Sequence, residues 1–405
     1  MIPEGWKTYT LGELSDPQAP IRYGVVQIGP FVPGGVPIVP IKHINQLGRA
    51  SLHLASRAIE GRYANSRIRS GDVLLSVKGT IGEVGIVPEG FHGNIAREIA
   101  RIRPNNRVDS RFLFYLLAAS ETRQRIENLV VGTTRREFSI AAVRAFQVVV
   151  PPIDEQRRIA SVLLTWDRAI EAVEALIANA RAQKTALMQA LLTGRVRLPG
   201  FSGEWDHKSI SAIATRVTRR NDGTDLPVLT ISSTSGFVRQ DEKYRREMAG
   251  KSVENYIVLN RGEFAYNKGN SKTYQFGCIY ELDSYERALV PHVYVCFRLK
   301  PAFSRRFFAA LFEADYLAPQ LRRLVNTGVR NNGLLNITPS EVLGTTVPVP
   351  PADEQDAIAA VLEAASATVA QAVAQRDALR QEKAALMQQL LTGQRRVRAP
   401  ESEAA

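Results

Sequence analysis

Asp72 with Lys78, and in a related setting Glu263 with Lys268, could supply the carboxylate and lysine of a hydrolytic nuclease centre. That chemistry also needs a second acid beside the lysine, which both sites lack, and the two acid–lysine spacings differ. The five histidines, His43, His53, His92, His207 and His292, are scattered without the spacing of metal ligands. No Gly-x-Gly-x-x-Gly loop and no Gly-x-x-x-x-Gly-Lys-Ser/Thr loop occurs, so a dinucleotide, methyl-donor or ATP pocket is not expected. Cys278 and Cys296 lie in apolar-aromatic runs and read as reduced, buried thiols. What remains is charge. The 405 residues carry 52 basic and 40 acidic side chains, a net +12, which points to a polyanionic partner. Up to Pro199 there are 26 basic and 17 acidic residues, a net +9; the rest carries 26 and 23, a net +3. Arginine dominates, and its planar fork suits phosphate oxygens and guanine edges.

The elements that must position such residues are duplicated. Pro151-Pro152-Ile153-Asp154-Glu155-Gln156 recurs at an offset of 199 residues as Pro350-Pro351-Ala352-Asp353-Glu354-Gln355. Lys184 to Gly194 recurs at the same offset as Lys383 to Gly393, with Leu-Leu-Thr-Gly closing each copy, and Trp6 matches Trp205. Looser matches lie between: Pro37–Ile41 with Pro227–Ile231, Gly71–Leu75 with Gly262–Tyr266, and Arg101–Pro104 with Arg298–Pro301. Apolar framework positions agree while the polar residues between them differ. Two copies of one scaffold with different surfaces suit a reader of two targets.

Asp154–Leu192 contains neither proline nor glycine. Its apolar residues Ile159, Leu163, Trp166, Ile170, Val173, Ile177, Ala180, Leu187 and Leu191 alternate steps of four and three, with Lys184 as the polar member. This is a coiled-coil seam. The second copy places Ile358, Leu362, Ala365, Val369, Ala372, Leu379, Leu386 and Leu390 on its seam, interrupted by Arg376 and Lys383. Asp154, Glu155, Asp353 and Glu354 suit the positive helix start, and Gly194 and Gly393 suit a left-handed cap. Each helix would be roughly 60 Å long, and pairing the two antiparallel would bury both stripes.

The globular parts mix strands and helices, an α/β (mixed α+β) class. Strands are expected at Val36–Ile41, Asp72–Val77, Val84–Val87 and Ile99–Ile102, and at Pro227–Ile231, Glu263–Tyr266, Gly277–Tyr280 and Val293–Leu299. One helix is expected in each copy, Arg111–Leu129 and Arg305–Val325. The domains read as residues 1–152 and 197–351, each followed by a long helix, 153–196 and 352–397, with a tail at 398–405. No run of about 18 uninterrupted apolar residues occurs, which excludes a membrane-spanning helix on that criterion. The start of the chain has no apolar core of a signal peptide, so a cytoplasmic protein with no membrane partner is expected.

Two variable globular parts alternating with two long helices, each opened by Pro-Pro-x-Asp-Glu-Gln and closed by Leu-Leu-Thr-Gly, resemble the specificity subunit of type I restriction–modification systems. Gly71-Asp72-Val73-Leu74-Leu75-Ser76 with Gly79-Thr80-Ile81-Gly82 is similar to a strand–loop stretch of that family's target recognition domains. The resemblance implies two target recognition domains, each reading half of a bipartite site in double-stranded DNA, and an intramolecular helix pair that sets the spacer with pseudo-two-fold symmetry. It also implies two methyltransferase subunits and two restriction subunits as partners. S-adenosylmethionine and ATP would sit on those partners, with no cofactor on this chain.

Candidate DNA-binding residues are polar positions in loops between matched strands: Lys42, His43, Asn45, Lys78, Thr80, Arg97, Thr134, Arg135 and Arg136 in the first copy. In the second they are Ser232, Ser233, Asn267, Lys268, Asn270, Lys272, Arg330, Asn331 and Asn332. Arginine can pair two-pronged with guanine and asparagine with adenine. Two other readings compete, a cleaving or methylating enzyme with an unfamiliar active site and a coiled-coil scaffold that binds only protein.

Overall fold

The structure is a computed structural model that describes residues 2–48, 50–130, 136–233, 235–243, 250–269, 271, 273–325 and 335–397. The chain divides into two compact units, Met1–Glu174 with Ala374–Ala405, and Ala175–Val373. The division falls inside both long helices, so each unit holds the start of one and the end of the other.

In the first unit a four-stranded antiparallel sheet has the order Arg22–Tyr23, Ile99–Ile102, Val73–Ser76, Val84–Ile86. Val73, Leu75, Ala100 and Ile102 enter one core, while Leu74 and Ile99 enter a second on the opposite face. Alternate side chains of a strand point to opposite faces, so covering both faces makes these strands apolar without interruption. A three-stranded sheet of His53–Ala55, Val36–Val39 and Asn94–Ile95 adjoins. Lys7–Thr10 pairs with Gln147–Val150 and closes the unit.

The second unit repeats the plan. Its four-stranded sheet runs Ala214–Val217, Val295–Leu299, Phe264–Asn267, Cys278–Glu281, all antiparallel. Phe264, Tyr266 and Phe297 face one core and Ala265, Cys278 and Cys296 the other. Burial pushes both thiols up to about 12, as expected of inert core cysteines. Asp206–Ser209 pairs with Thr346–Val349 at the 199-residue offset from its counterpart in the first unit. Leu229–Ser232 pairs with Gly236–Arg239, and Ile257–Asn260 with Arg287–Val290.

Each single helix expected from sequence is two. In the first unit Ser110–Ala118 and Ser120–Glu127 are separated at Ala119, which has extended backbone (ψ 140). In the second, Arg305–Glu313 and Ala318–Leu324 are separated by a turn containing Asp315 at φ 53. Pro319 stands in the first turn of the latter helix, where its missing N–H costs nothing, so proline here starts a helix rather than continuing one.

The long helices span Ile153–Leu191 and Ala352–Leu391. In the first unit they run antiparallel, since Glu155 meets Arg396, Asp167 meets Lys383 and Glu174 meets Arg380. Gly194 (φ 68) and Gly393 (φ 73) take the left-handed conformation after the helix ends, as their spacing predicts. Val196 N–H reaches Ala190 O at 3.2 Å and Arg395 N–H reaches Gln389 O at 3.0 Å, the same closing bond in both copies.

One exclusion made from sequence is corrected. The second long helix, Ala352–Leu391, is long enough to cross a membrane and contains an 18-residue stretch with a mean hydropathy of 1.6, apolar enough by composition to do so. Its many alanines raise that mean although Glu363, Ser366, Thr368 and Gln371 break up the stretch, and alanine is equally the best helix former in water. Ile358, Ala359 and Leu362 pack in the core of the second unit, and Leu390 and Leu391 in that of the first.

Candidate nucleic-acid interface

The repeated helix motifs turn out to bind one another. Gln156 donates to Pro151 O at 2.8 Å and accepts from Asp109 N–H at 2.8 Å. Gln355 does the same with Pro350 O (2.8 Å) and Ser304 N–H (2.9 Å). Each glutamine thereby ties a long helix to the loop before a globular helix. The preceding carboxylate, Glu155 or Glu354, is buried and takes both prongs of an arginine that follows the other motif: Arg396 at 2.7 and 2.8 Å, Arg197 at 2.6 Å twice. A side-by-side pair of charge-assisted bonds is directional as well as strong. Pro-Pro-x-Asp-Glu-Gln and Leu-Leu-Thr-Gly are therefore parts of structural joints.

Asp72 and Glu263, the acids of the nuclease-like pairs, are structural too. Asp72 is 1 % exposed, bonds Arg103 through both oxygens at 2.8 Å, and accepts Arg69 N–H at 2.9 Å. Glu263 is 2 % exposed, pairs with Arg219 and accepts Asn260 N–H at 2.9 Å. Lys78 pairs with Glu137 at 3.1 Å instead of with Asp72. Among the described residues no group of histidines, cysteines and acids could hold a metal.

Several predicted contact residues of the first unit come together around Val77. Its N–H donates to Glu98 O at 2.7 Å and its carbonyl accepts from Phe138 N–H at 2.9 Å. The turn bearing Arg97 and the segment bearing Arg136 thus both reach the Lys78–Thr80 loop. Lys78 also lies 5.4 Å from the centre of the Tyr23 ring. Lys42 and His43 belong to the turn Ile41–His43, and a methyl added at Gly79 would lie 3.8 Å from Ile41 Cδ1, so this turn abuts the same loop. Lys42, Asn45, Thr80, Arg97 and Arg136 are exposed, whereas His43 is half-buried with an unpartnered Nδ1. Arg97 pairs with Glu98 at 3.1 Å and Arg136 with Glu127.

In the second unit Leu335 N–H donates to Lys268 O at 3.0 Å, matching the bond from Phe138 to Val77. Asn267 turns its side-chain oxygen to Gly269 N–H at 3.0 Å. Ser232 and Ser233 are half-buried at the end of Leu229–Ser232, and Ser233 O accepts from the Tyr280 hydroxyl at 2.9 Å. Thr134, Arg135, Asn270, Lys272, Arg330, Asn331 and Asn332 lie outside the described residues.

Of the seam positions, Ile159, Leu163, Val173, Ile177, Leu191, Ile358, Leu362 and Leu390 are buried. Trp166, Ile170, Leu187, Val369, Leu379 and Leu386 are half-buried, and Met188 and Leu192 are buried beside them. Lys184 pairs with Glu313 at 2.6 Å, and Lys383 pairs with Asp167 over the Tyr115 ring.

Sequence reasoning passed over a cleft of about 870 Å³ in the first unit, lined by Arg22, Arg57, Arg67, Arg69, Arg101 and Arg103. Arg22 and Arg101 are directly paired across adjacent strands, so both side chains leave the sheet on one face, with Arg103 two residues on. The alternation Arg101-Ile102-Arg103 within an apolar strand is the signal that could have revealed it. Glu60, fully buried at the cleft wall, bonds Arg67 at 2.8 and 2.7 Å and Asn94 at 2.9 Å; the first of these contacts does most to hold its pKa below the usual carboxylate value.

Residues 3–180 match the protein family described as type I restriction modification DNA specificity domain. The EcoBI specificity subunit of Escherichia coli is 28 % identical over 200 residues, 49 % of this chain and 42 % of that protein. The MjaVIII specificity subunit of Methanocaldococcus jannaschii is 25 % identical over 213 residues, 50 % of this chain and 48 % of its own length. These matches span less than half the length of either relative. A putative MjaX specificity subunit from the same organism is 23 % identical across 98 % of this chain and 95 % of its own. In fold, the chain is similar to the S subunit structure from M. genitalium (TM-score 0.56, 14 % identity, 95 % and 96 % covered). A structure from work on complex assembly of the type I R-M system gives a TM-score of 0.58 at 20 % identity, with 96 % and 98 % covered. Over residues 3–180 in sequence, and over nearly the whole chain in fold, the protein is similar to type I restriction–modification specificity subunits.

Proposed function

We propose that this chain is the sequence-specific DNA-binding subunit of a type I restriction–modification complex in the cytoplasm, without a catalytic centre of its own. Each unit reads one half of a bipartite site in double-stranded DNA. The long helices set the spacer between the halves and dock two methyltransferase subunits, with two restriction subunits joining for cleavage. S-adenosylmethionine and ATP belong to those partners. The observation that carries this reading is the pairing of sameness and difference between the units. Strand order and joints repeat, while the end of the central strand and the loop after it carry Lys78 and Thr80 in one unit and Asn267 and Lys268 in the other. Phosphate contacts fix position and base-edge contacts choose sequence, so different polar sets on one frame give different half-sites.

The test is methylation-site mapping in cells that express this chain with its methyltransferase subunits. A two-part motif with a fixed spacer is expected. An undivided motif, or unmodified DNA despite an assembled complex, would overturn the proposal.

A further inference from the structure

The arginine cleft of the first unit is built in a way that ordinary surface charge is not. Three of its guanidiniums are held in place: Arg67 by buried Glu60, Arg103 by buried Asp72, and Arg101 by carbonyl oxygens of Arg67 (3.2 Å) and Pro20 (2.9 Å). Ser66 steadies this wall by donating to Asn94 at 2.8 Å, and Asn94 in turn donates to Glu60. Arg101 is the unusual member. It is 2 % exposed, its Nε has no hydrogen-bond partner, and its direct bonds go only to neutral oxygens. Burial first, and Arg103 next, hold its pKa below the usual guanidinium value, the mark of a positive charge short of compensation. Arg22 and Arg57 stand at the same cleft, exposed, their side chains bonded to no described residue. Low-dielectric walls focus the field of such a cluster into the cleft.

We propose that this cleft is a phosphate site that takes a phosphodiester of the DNA backbone, with Arg22 and Arg57 as the direct ligands and Arg67, Arg101 and Arg103 as the fixed charges behind them. It rests on the DNA-binding reading above and adds to it a fixed, sequence-independent anchor. None of these residues is among the loop positions that sequence offered for base reading.

The test uses the full chain and a fluorescent random-sequence DNA duplex, with binding measured across a salt series. Loss of the one neutralised phosphate should lower the slope of log K against log salt by about 0.9 in Arg22→Ala/Arg57→Ala. Arg22→Lys/Arg57→Lys should restore the slope and shows that the fold persists. Lys7→Ala/Arg111→Ala removes the same charge elsewhere on this unit and should leave the slope unchanged. An unchanged slope in the cleft variant, or an equal drop in the Lys7/Arg111 control, overturns the proposal. So does inorganic phosphate that raises the melting temperature of the wild-type chain alone while the DNA slope stays fixed, since that marks a free-anion site. Mapping of the methylated motif separates the two readings. A bipartite motif with an unchanged slope sinks only the cleft, whereas absence of both motif and DNA binding sinks the DNA reading as well.

Discussion

The two units share their joints and differ in what surrounds them. Glu155 with Arg396 and Glu354 with Arg197 are the same contact made twice, yet their tryptophans behave differently. Trp205 Nε1 donates to Glu354 at 3.0 Å, whereas the buried Nε1 of Trp6 has no partner, and its ring borders a cavity of about 410 Å³. The buried acid that closes the turn before the central strand is Asp72 with Arg103 in one unit and Glu263 with Arg219 in the other. The cation comes from just beyond two different strands, Ile99–Ile102 and Ala214–Val217. A contact that must join two helix ends is held to one geometry, and a contact that only neutralises a turn can be rebuilt from another direction. Within this chain, shared geometry marks the frame and altered geometry marks the parts free to specialise.

Three measurements would break or sharpen that contrast. The largest effect should come from Glu354→Ala, which takes the acceptor from Trp205 Nε1 and leaves Arg197 with only the carbonyls of Ser202 and Gly203. A loss of about 3 kcal/mol in urea unfolding is expected, near the low end for a broken buried pair because the Arg197 side chain is 20 % exposed. Glu155→Ala should cost about 1 kcal/mol less, since Trp6 has no bond to lose. Equal losses would show that the tryptophan difference carries no energy.

Gln156→Ala and Gln355→Ala should follow, each losing about 2 kcal/mol because a buried carbonyl and a loop N–H lose their partner. Gln156 also donates to Arg107 O at 3.0 Å, a bond with no counterpart at Gln355 among the described residues, so its loss should be the larger by up to about 1 kcal/mol. Equal losses would show that this third bond carries no energy.

The smallest effect concerns Asp315, at the helix break of the second unit. Burial raises its pKa to about 6 from an ordinary 3.8. The folded state therefore holds the proton more tightly than the unfolded chain, and stability from this group is full below about 4 and lost as pH rises through 6. Asp315→Asn, which tolerates the left-handed backbone, should flatten the stability profile between those values. Ala119, at the corresponding break in the first unit, has no titratable group. A profile that Asp315→Asn leaves unchanged would place the pH response elsewhere.

The duplication, the helix limits and the glycine caps were legible because each depends on residues a few positions apart. Pro-Pro ahead of Asp-Glu, and Gly194 or Gly393 after the last leucines, act through local backbone geometry. The break before Pro319 was legible by the same rule but was read through, whereas nothing local marks the break at Ala119. Lys42, Lys78, Arg97 and Arg136 could be picked as loop residues, yet their meeting around Val77 depends on three segments joining one strand end.

By itself the sequence determined a doubled frame, its strand and helix alternation, and the excess of arginine. Only the tertiary structure decided that Glu155 holds an arginine 241 positions away and Glu354 one 157 positions away. It also decided that six scattered arginines line one cleft. The physical reason is range. Periodicity and capping work within a turn or two of the backbone, but a buried charge finds its partner only when the sheets have brought distant segments together.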